Sequence, residues 1–282
     1  MIDIVFATCT TRTIASWEEL SALCRTFAIG DWIFRGHVNG AHQLIPAIGR
    51  VGARRSLSGS VLPYDRAQAE ELLRLFKLHA HPHVGLAHDV DDLQWWALGR
   101  HHGLPTPFLD WTTSFLIAAY FACKGGGMSD GNRTRAAIYA VKQPKLVDTY
   151  ADAINAPEVV AYLPPHVSPR IGAQSALLTF HPRPDIPWSP EEIQKIWIPS
   201  DQAIAIKVIL TRAGIHEASI QPGLDGVAQY LGWLYKREFL RQISDPQGEN
   251  DAIAYTGENA AGGRGYVSLV QDGATASDRV EP

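Results

Sequence analysis

Residues 100–123 read RHHGLPTPFLDWTTSFLIAAYFAC, with two histidines, an aspartate and a run of three hydroxyl residues between apolar segments. The glycine and two prolines in the first half prevent a helix from running through it, because proline lacks a backbone donor and glycine favours turns. One of the hydroxyl residues at 112–114 can cap a new helix, whose apolar body is residues 115–123. The polar groups therefore lie on a rigid turn between two apolar elements, which is a suitable place for a functional site.

The same stretch also has a purely structural interpretation. Trp95, Trp96 and Trp111 flank the histidines in sequence. His101 and Asp110 could then form a buried, hydrogen-bonded pair between aromatic rings. This interpretation predicts that mutation reduces stability without a specific loss of function, and the sequence alone leaves it open.

Composition and charge limit the class of protein. Of the 282 residues, 46% are hydrophobic and 19% are charged, which is typical of a chain that buries a core. The net charge of -4 argues against broad electrostatic binding to nucleic acid or to an anionic membrane. The three cysteines are widely spaced, and neither the first residues, MIDIVF, nor any apolar run predicts a signal peptide or a membrane span. We therefore expect a soluble cytoplasmic protein that does not contact membranes.

The apolar periodicity and the capping residues predict a mixed fold. They predict strands over residues 31–37, 136–142, 176–180 and 202–210, and helices that begin near residues 16, 65, 91, 189 and 227. Strands and helices do not alternate strictly, so we expect an α+β fold: a small antiparallel or mixed sheet with helices packed around it. We expect a single domain over residues 1–243 and a disordered tail over residues 244–282, where apolar side chains become rare.

Five motifs resemble the FRG domain family. They are FRG at 34–36, LIPAIGR at 44–50, HHGLPTPFLDWT at 101–112, RIGAQ at 170–174 and QPGLDG at 221–226. The resemblance covers about residues 15–242. Members of this family are mostly bacterial, and their setting suggests mobile elements and phage defence. The resemblance therefore implies a toxin or antiviral defence role, but it does not identify a reaction.

The order of the motifs is also similar to that of the ADP-ribosyltransferases that use arginine, serine and glutamate. Arg35 and Gly36 would end an early strand, Thr112 and Ser114 would precede a helix, and Glu217 or Asp225 would be the late acid. This likeness implies an ADP-ribosyltransferase-like fold. It also implies NAD as the substrate of ADP-ribosyl transfer or of NAD hydrolysis, with a protein or nucleic acid as a potential acceptor.

The chemistry of NAD accounts for these residue types. An arginine fork can orient the pyrophosphate, and a glycine backbone can pair with the nicotinamide carboxamide. A carboxylate near the ribose stabilises the positive charge that develops as nicotinamide leaves. Two features depart from the pattern: Asp225 is shorter than the usual glutamate and lies in a PGLDG turn, and the scheme gives His101, His102 and Asp110 no role.

Two other functions use the same residues. In a nuclease, His101 or His102 would be the general base, Asp110 would hold a metal or orient the histidine, and Arg35 and Arg170 would bind phosphate. The histidine spacing supports no metal-ligand assignment.

The second alternative is a non-catalytic module that senses a nucleotide or a phage protein with the same arginine, histidine and glutamine residues. The complete set of candidates is Glu217, Asp225, His102 and Asp110 as catalytic residues, with Arg35, Gly36, His101, Thr112, Ser114, Arg170 and Gln174 as ligand-binding residues.

Overall fold

The computed structural model describes residues 8–84, 90–125, 135–165, 172–237, 257–258 and 264–265. The chain divides into two units, residues 1–230 and 231–282. The predicted domain boundary after residue 243 and most of the predicted tail lie outside the described residues. Within the described ranges, no helix combines the length and the apolar character needed to cross a membrane.

Helices and strands follow one another without a regular order. The helices are α1 (Trp17–Thr26), α2 (Arg66–Ala80), α3 (Asp92–His101), α4 (Phe115–Cys123), α5 (Tyr150–Ile154), α6 (Ser200–Arg212), α7 (Glu217–Ile220) and α8 (Leu224–Lys236), with 3-10 helices at Ala47–Gly49 and His81–His83. The strands are β1 (Thr8–Thr13), β2 (Trp32–His37), β3 (Arg54–Arg55), β4 (Val61–Leu62), β5 (Phe108–Thr112), β6 (Ala136–Lys142), β7 (Val160–Tyr162), β8 (Ala176–Phe180), β9 (Glu192–Ile198), β10 (Gly257–Glu258) and β11 (Arg264–Gly265).

A mixed sheet of seven strands forms the centre of the described part of the first unit. Its order is β1-β9-β6-β2-β5-β8-β7. The pairing of β1 with β9 is parallel, and the other neighbours are antiparallel. Two short antiparallel pairs, β3-β4 and β10-β11, lie outside this sheet. The predicted α+β class, with a mixed sheet and surrounding helices, is confirmed.

Side-chain caps begin the helices that the sequence predicted near residues 16, 65 and 91 and after the hydroxyl run. Ser16 accepts from the Glu19 amide, and Asp65 and Asp91 accept in the same way at α2 and α3. Ser114 Oγ accepts from the backbone N–H of residue 117 at 3.4 Å, so it is the cap of α4. Each cap satisfies a backbone donor that the first helical turn leaves unpaired.

Helix α4 packs directly against β2 at Gly36. Ala118 and Ala119 are fully buried. A Cβ built on Gly36 would lie 2.0 Å from the Ala118 carbonyl oxygen and 2.4 Å from the Ala122 amide nitrogen. The strand and the helix can approach this closely because position 36 has no side chain and the facing helix residues are alanines. Gly36 therefore fixes the position of α4 relative to β2.

Two sequence predictions are wrong. The strand predicted over residues 202–210 is part of helix α6, and the helix predicted to begin near residue 189 is replaced by strand β9. In α6 the buried residues are Ala203, Ile206, Lys207 and Leu210, which share one helical face. Strand β9 pairs with β6 on one side and β1 on the other, so tertiary pairing overrides a favourable helix-start sequence.

Candidate functional site

A cavity of about 410 Å³ opens beside β2 and β5, and we call it the Asp110 pocket. Its polar lining residues are Arg35, Gly36, Arg100, His101, Asp110, Thr112 and Gln174. Its apolar wall includes Phe34, Phe121 and Leu178. The pocket therefore combines an apolar surface with a group of charged side chains, as ligand sites commonly do.

The pocket exists because β2 and β5 separate. Their register has a single pair, Phe34 with Thr112. Beyond that pair the next residues of the two strands do not form a ladder, and Arg35 reaches across the opening. Its Nη1 donates to the backbone carbonyl of Asp110. The guanidinium thus provides a hydrogen bond that a neighbouring strand would otherwise supply.

Two arginines converge on the carboxylate of Asp110. Arg100, in the last turn of α3, donates from Nε at 3.1 and 3.2 Å and from Nη2. The Arg35 Nη1 atom lies 3.5 Å from Asp110 Oδ2. The Arg35 and Arg100 side chains are 14% and 24% exposed. With two cations and one anion, this cluster has a net charge of about +1 and is suited to an anionic ligand.

The charges at the cluster shift its pKa values. Burial alone would raise the pKa of Asp110, but the hydrogen bonds and charges of Arg100 and Arg35 outweigh it, and the pKa lies below its usual value. Burial lowers the pKa of Arg35, and the positive charges of Arg100 and Arg50 act in the same direction, while Asp110 opposes them. All three groups of the cluster are therefore charged at neutral pH, since an arginine stays protonated in proteins.

His37 is held neutral beside Arg35. The Arg35 Nε atom donates to His37 Nε2 at 2.8 Å. Because a guanidinium can only donate, His37 Nε2 must accept, and the ring proton lies on Nδ1. Burial, together with the charge of Arg35, lowers the pKa of His37 to about 3. The Nδ1 atom is buried and has no hydrogen-bond partner, so it is an unsatisfied donor next to the cluster.

The structure brings together about half of the residues that the sequence selected. Arg35, Gly36, His101, Asp110, Thr112 and Gln174 line the Asp110 pocket, whereas Ser114, His102, Glu217 and Asp225 do not. Arg170 lies outside the described residues.

The hydroxyl of Thr112 is used by the fold. It donates to the Gln174 carbonyl at 2.7 Å and accepts from the Ser114 amide at 3.0 Å. The Gln174 side chain donates to the Ile220 carbonyl at 3.1 Å. Thr112 and Gln174 therefore tie three chain segments together at the pocket wall. Ser175, which follows, has φ of 46°, an uncommon backbone conformation for a residue other than glycine.

The two late acids lie elsewhere. Glu217 is the first residue of α7, and its Oε1 accepts from Lys207 Nζ at 2.7 Å. Both side chains are buried, at 4% and 3% exposure. Asp225 is exposed in the first turn of α8. Neither acid faces the Asp110 pocket, and neither lies on a strand.

His101 does not form the buried pair with Asp110 that the structural interpretation predicted. His101 and His102 are both exposed, and their rings are perpendicular at 5.2 Å. His101 is therefore not the buried partner that the structural interpretation assigned to Asp110. Among the described residues, no group of three or more histidine, cysteine, aspartate or glutamate side chains is arranged to hold a metal ion.

Sequence reasoning missed Arg100 and His37. Arg100 stands directly before the two histidines, and an aspartate between buried strand residues needs a cationic partner. That need could have identified Arg100, because the turn at 103–107 returns the chain beside the end of α3. No local signal marks His37 as the acceptor of the Arg35 bond.

Comparison with known proteins supports the resemblance of the motifs. Neither the curated proteins nor the solved structures include a match to this chain. A family model, described as the FRG domain, matches residues 30–130. This range includes Arg35, Arg100, Asp110 and the cavity wall they form, whereas the motifs at 170–174 and 221–226 lie beyond it. The similarity to the FRG domain is therefore shown for residues 30–130.

Proposed function

We propose that the Asp110 pocket binds a phosphate-bearing nucleotide, with NAD as the first candidate, and that Arg35 and Arg100 hold its phosphate. The observation that carries this proposal is the convergence of two partly buried guanidinium groups on a single carboxylate. The excess positive charge lies in a concave site, where an anion would receive charge-assisted hydrogen bonds. The apolar wall at Phe34 and Phe121 provides a surface for a base.

Binding without turnover is the function that the geometry supports best. Leaving-group departure from NAD requires a carboxylate that stabilises positive charge on the ribose. Among the described residues that line the pocket, Asp110 is the acid, and two arginines neutralise it. A nucleotide-sensing module in phage defence needs the charged pocket but no free carboxylate.

ADP-ribosyl transfer or NAD hydrolysis is the second candidate, because one observation favours it. Arg35, Gly36 and Thr112 line the same pocket, and β2 and β5 pair at Phe34 and Thr112. This arrangement matches the order that the transferase likeness implies, an Arg-Gly pair followed by a hydroxyl strand that leads into a helix. In this reaction NAD would be the substrate.

Calorimetric titration with NAD, ADP-ribose and adenosine tests the binding proposal. We expect NAD and ADP-ribose to bind and adenosine, which has no phosphate, to bind at least about tenfold more weakly. Arg100→Lys keeps the charge but removes the planar fork, so it should weaken NAD binding by about tenfold. Arg54→Lys is the matched control, since Arg54 does not line this pocket. Equal affinities for NAD and adenosine, or unchanged binding by folded Arg100→Lys, would overturn the proposal.

Mass spectrometry of free nicotinamide in the same mixtures separates binding from turnover. Binding without nicotinamide release supports the sensing module. Release that is lost in Arg35→Ala, and that persists in Arg54→Lys, would establish the second candidate instead.

A further inference from the structure

A second cavity, of about 500 Å³, adjoins the Asp110 pocket, and we call it the Arg50 cavity. Arg35 and Gly36 line both cavities. The remaining lining of the Arg50 cavity comes from the end of β2 and the segment that follows it, through Arg50. The two cavities therefore meet at the residues where β2 and β5 separate.

The Arg50 cavity is electropositive. Its ionisable lining residues are Arg35, Arg50, His37 and His42, and none of the described residues that line it is acidic. The charge of Lys195, like those of Arg35 and Arg50, acts to lower the pKa of His37. Asp110, the acid among the described residues that line the adjoining pocket, is already paired with Arg100 and Arg35. An anion in this cavity would therefore be attracted by charge that the fold itself does not neutralise.

One residue that lines the cavity, His37, also has an unsatisfied donor. His37 accepts from Arg35 through Nε2, so its Nδ1 carries the proton, is buried and has no partner. A buried donor without a partner loses the hydrogen bond that it makes to water in the unfolded chain, and buried polar groups without partners are rare. An orphaned donor beside Arg35 and Arg50 is a second feature of this region, besides its charge, that favours a ligand with acceptor atoms.

The loop that shapes the cavity is held in place before any ligand arrives. The Gly40 carbonyl accepts from Lys195 Nζ at 2.6 Å and from the Tyr139 hydroxyl at 3.1 Å. The Tyr139 hydroxyl also lies 3.0 Å from the His42 carbonyl. A Cβ on Gly40 would lie 2.4 Å from the Trp197 ring. The loop is thus anchored to β6 and β9, and a ligand would not have to order it.

We propose that the Arg50 cavity is the subsite for a second anionic group of the ligand in the Asp110 pocket. The ligand is then a nucleoside diphosphate or a dinucleotide rather than a nucleoside monophosphate, and this inference rests on the proposed function of that pocket. Arg35 lines both subsites and contacts the part of the ligand that joins them. Arg100 contacts the phosphate in the Asp110 pocket, and Arg50 contacts the second anionic group in the Arg50 cavity.

Calorimetric titration of the full chain with AMP, ADP and NAD tests this inference, using wild type, Arg50→Ala and the control Arg54→Ala. Arg50 and Arg54 each donate one hydrogen bond to a backbone carbonyl, of Ile45 and Pro63 respectively, and Arg54 also lies 3.8 Å from the Asp65 carboxylate, outside both cavities. We expect wild type to bind ADP and NAD about tenfold or more tightly than AMP, since charge-assisted hydrogen bonds are the strong ones. Arg50→Ala should remove this preference and leave AMP binding within about twofold, whereas Arg54→Ala should keep the preference.

The outcomes separate the two proposals. If wild type binds AMP and ADP equally, or if Arg50→Ala weakens both to the same extent, the second subsite is refuted while the Asp110 pocket remains a nucleotide site. If wild type binds none of the three nucleotides, the function proposed for the Asp110 pocket fails, and the second subsite fails with it.

Discussion

Replacing Glu217 with glutamine should destabilise the protein and leave ligand binding intact. The Glu217 carboxylate lies 2.7 Å from Lys207 Nζ, and the two side chains are only 4% and 3% exposed. Glutamine would remove the carboxylate charge that faces the buried Lys207 ammonium. Removal of one partner from a buried pair typically costs about 3–5 kcal/mol, which lowers the Tm of a domain of this size by roughly 6–20 °C.

Urea denaturation at pH 7.5, with a double-mutant cycle, measures this effect. The double variant Lys207→Met with Glu217→Leu should recover most of the loss, because it removes both charges and keeps apolar volume. Glu71→Gln is the matched control, since Glu71 forms a comparable pair with Arg74 at 2.8 Å on an exposed helix surface. We expect no measurable change in stability for this control.

The functional part of the experiment decides the role of Glu217. If the pair is structural, folded Glu217→Gln should bind NAD within about twofold of wild type, because Glu217 lies outside the Asp110 pocket. A variant that is as stable as wild type but has lost NAD binding or nicotinamide release would refute this reasoning. It would place the carboxylate at the ligand, as the transferase likeness implied.

Two further predictions concern pH and packing. Burial and the nearby Arg35 charge lower the pKa of His37 and His181 to about 3, so both histidines stay neutral in the folded state. In the unfolded chain the same two histidines take up protons below their ordinary pKa of 6.5. The free energy of unfolding should therefore fall by about 2 kcal/mol for each histidine as the pH is lowered from about 7.5 to about 5. In urea titrations across this range, His181→Gln should lose about half of this pH dependence. An unchanged pH dependence would contradict the conclusion that His181 is neutral in the folded state. Gly36→Ala should lower the free energy of unfolding by more than about 3 kcal/mol, because the new Cβ would lie 2.0 Å from the Ala118 carbonyl oxygen. Gly103→Ala should lower it by only about 1 kcal/mol, since φ at residue 103 is +88° but no atom lies near the added Cβ. Equal losses of stability in thermal unfolding would refute the packing argument.

The sequence predicted the elements whose signals are local. Ser114 caps α4 and Asp91 caps α3 because capping requires only a side chain and the next few amides. It failed over residues 202–210, where alternating β-branched residues favour a strand. The helix face that packs against the core includes Lys207 as well as Ile206. A search for hydrophobic periodicity does not count a lysine as a core residue, so it misses this face. The lysine is buried because Glu217 neutralises it, and that partner is ten residues away in sequence.

The candidate site was predictable only in part, because its contacts also join residues that are far apart in sequence. The sequence identified Arg35 and Asp110 separately, as a cation beside a glycine and an acid beside histidines. Their contact spans 75 positions and depends on the single pairing between β2 and β5. The assignment of Glu217 as a catalytic residue relied on the order of motifs, and motif order does not determine which carboxylates face a cavity.

The three residues at 34–36 show why the fold and the site depend on each other. Successive residues of a strand face opposite sides of the sheet, so Phe34 and Gly36 face one side and Arg35 faces the other. Phe34 packs its ring 5.4 Å from that of Phe115 in α4, and Gly36 allows the same helix to approach the strand. Arg35, between them, points into the opening and holds Asp110. Because α4 follows directly from the strand that carries Asp110, any change that moves the helix also moves the carboxylate relative to Arg35. A variant at Phe34 or Gly36 should therefore alter ligand affinity as well as stability, although neither side chain provides a charged contact.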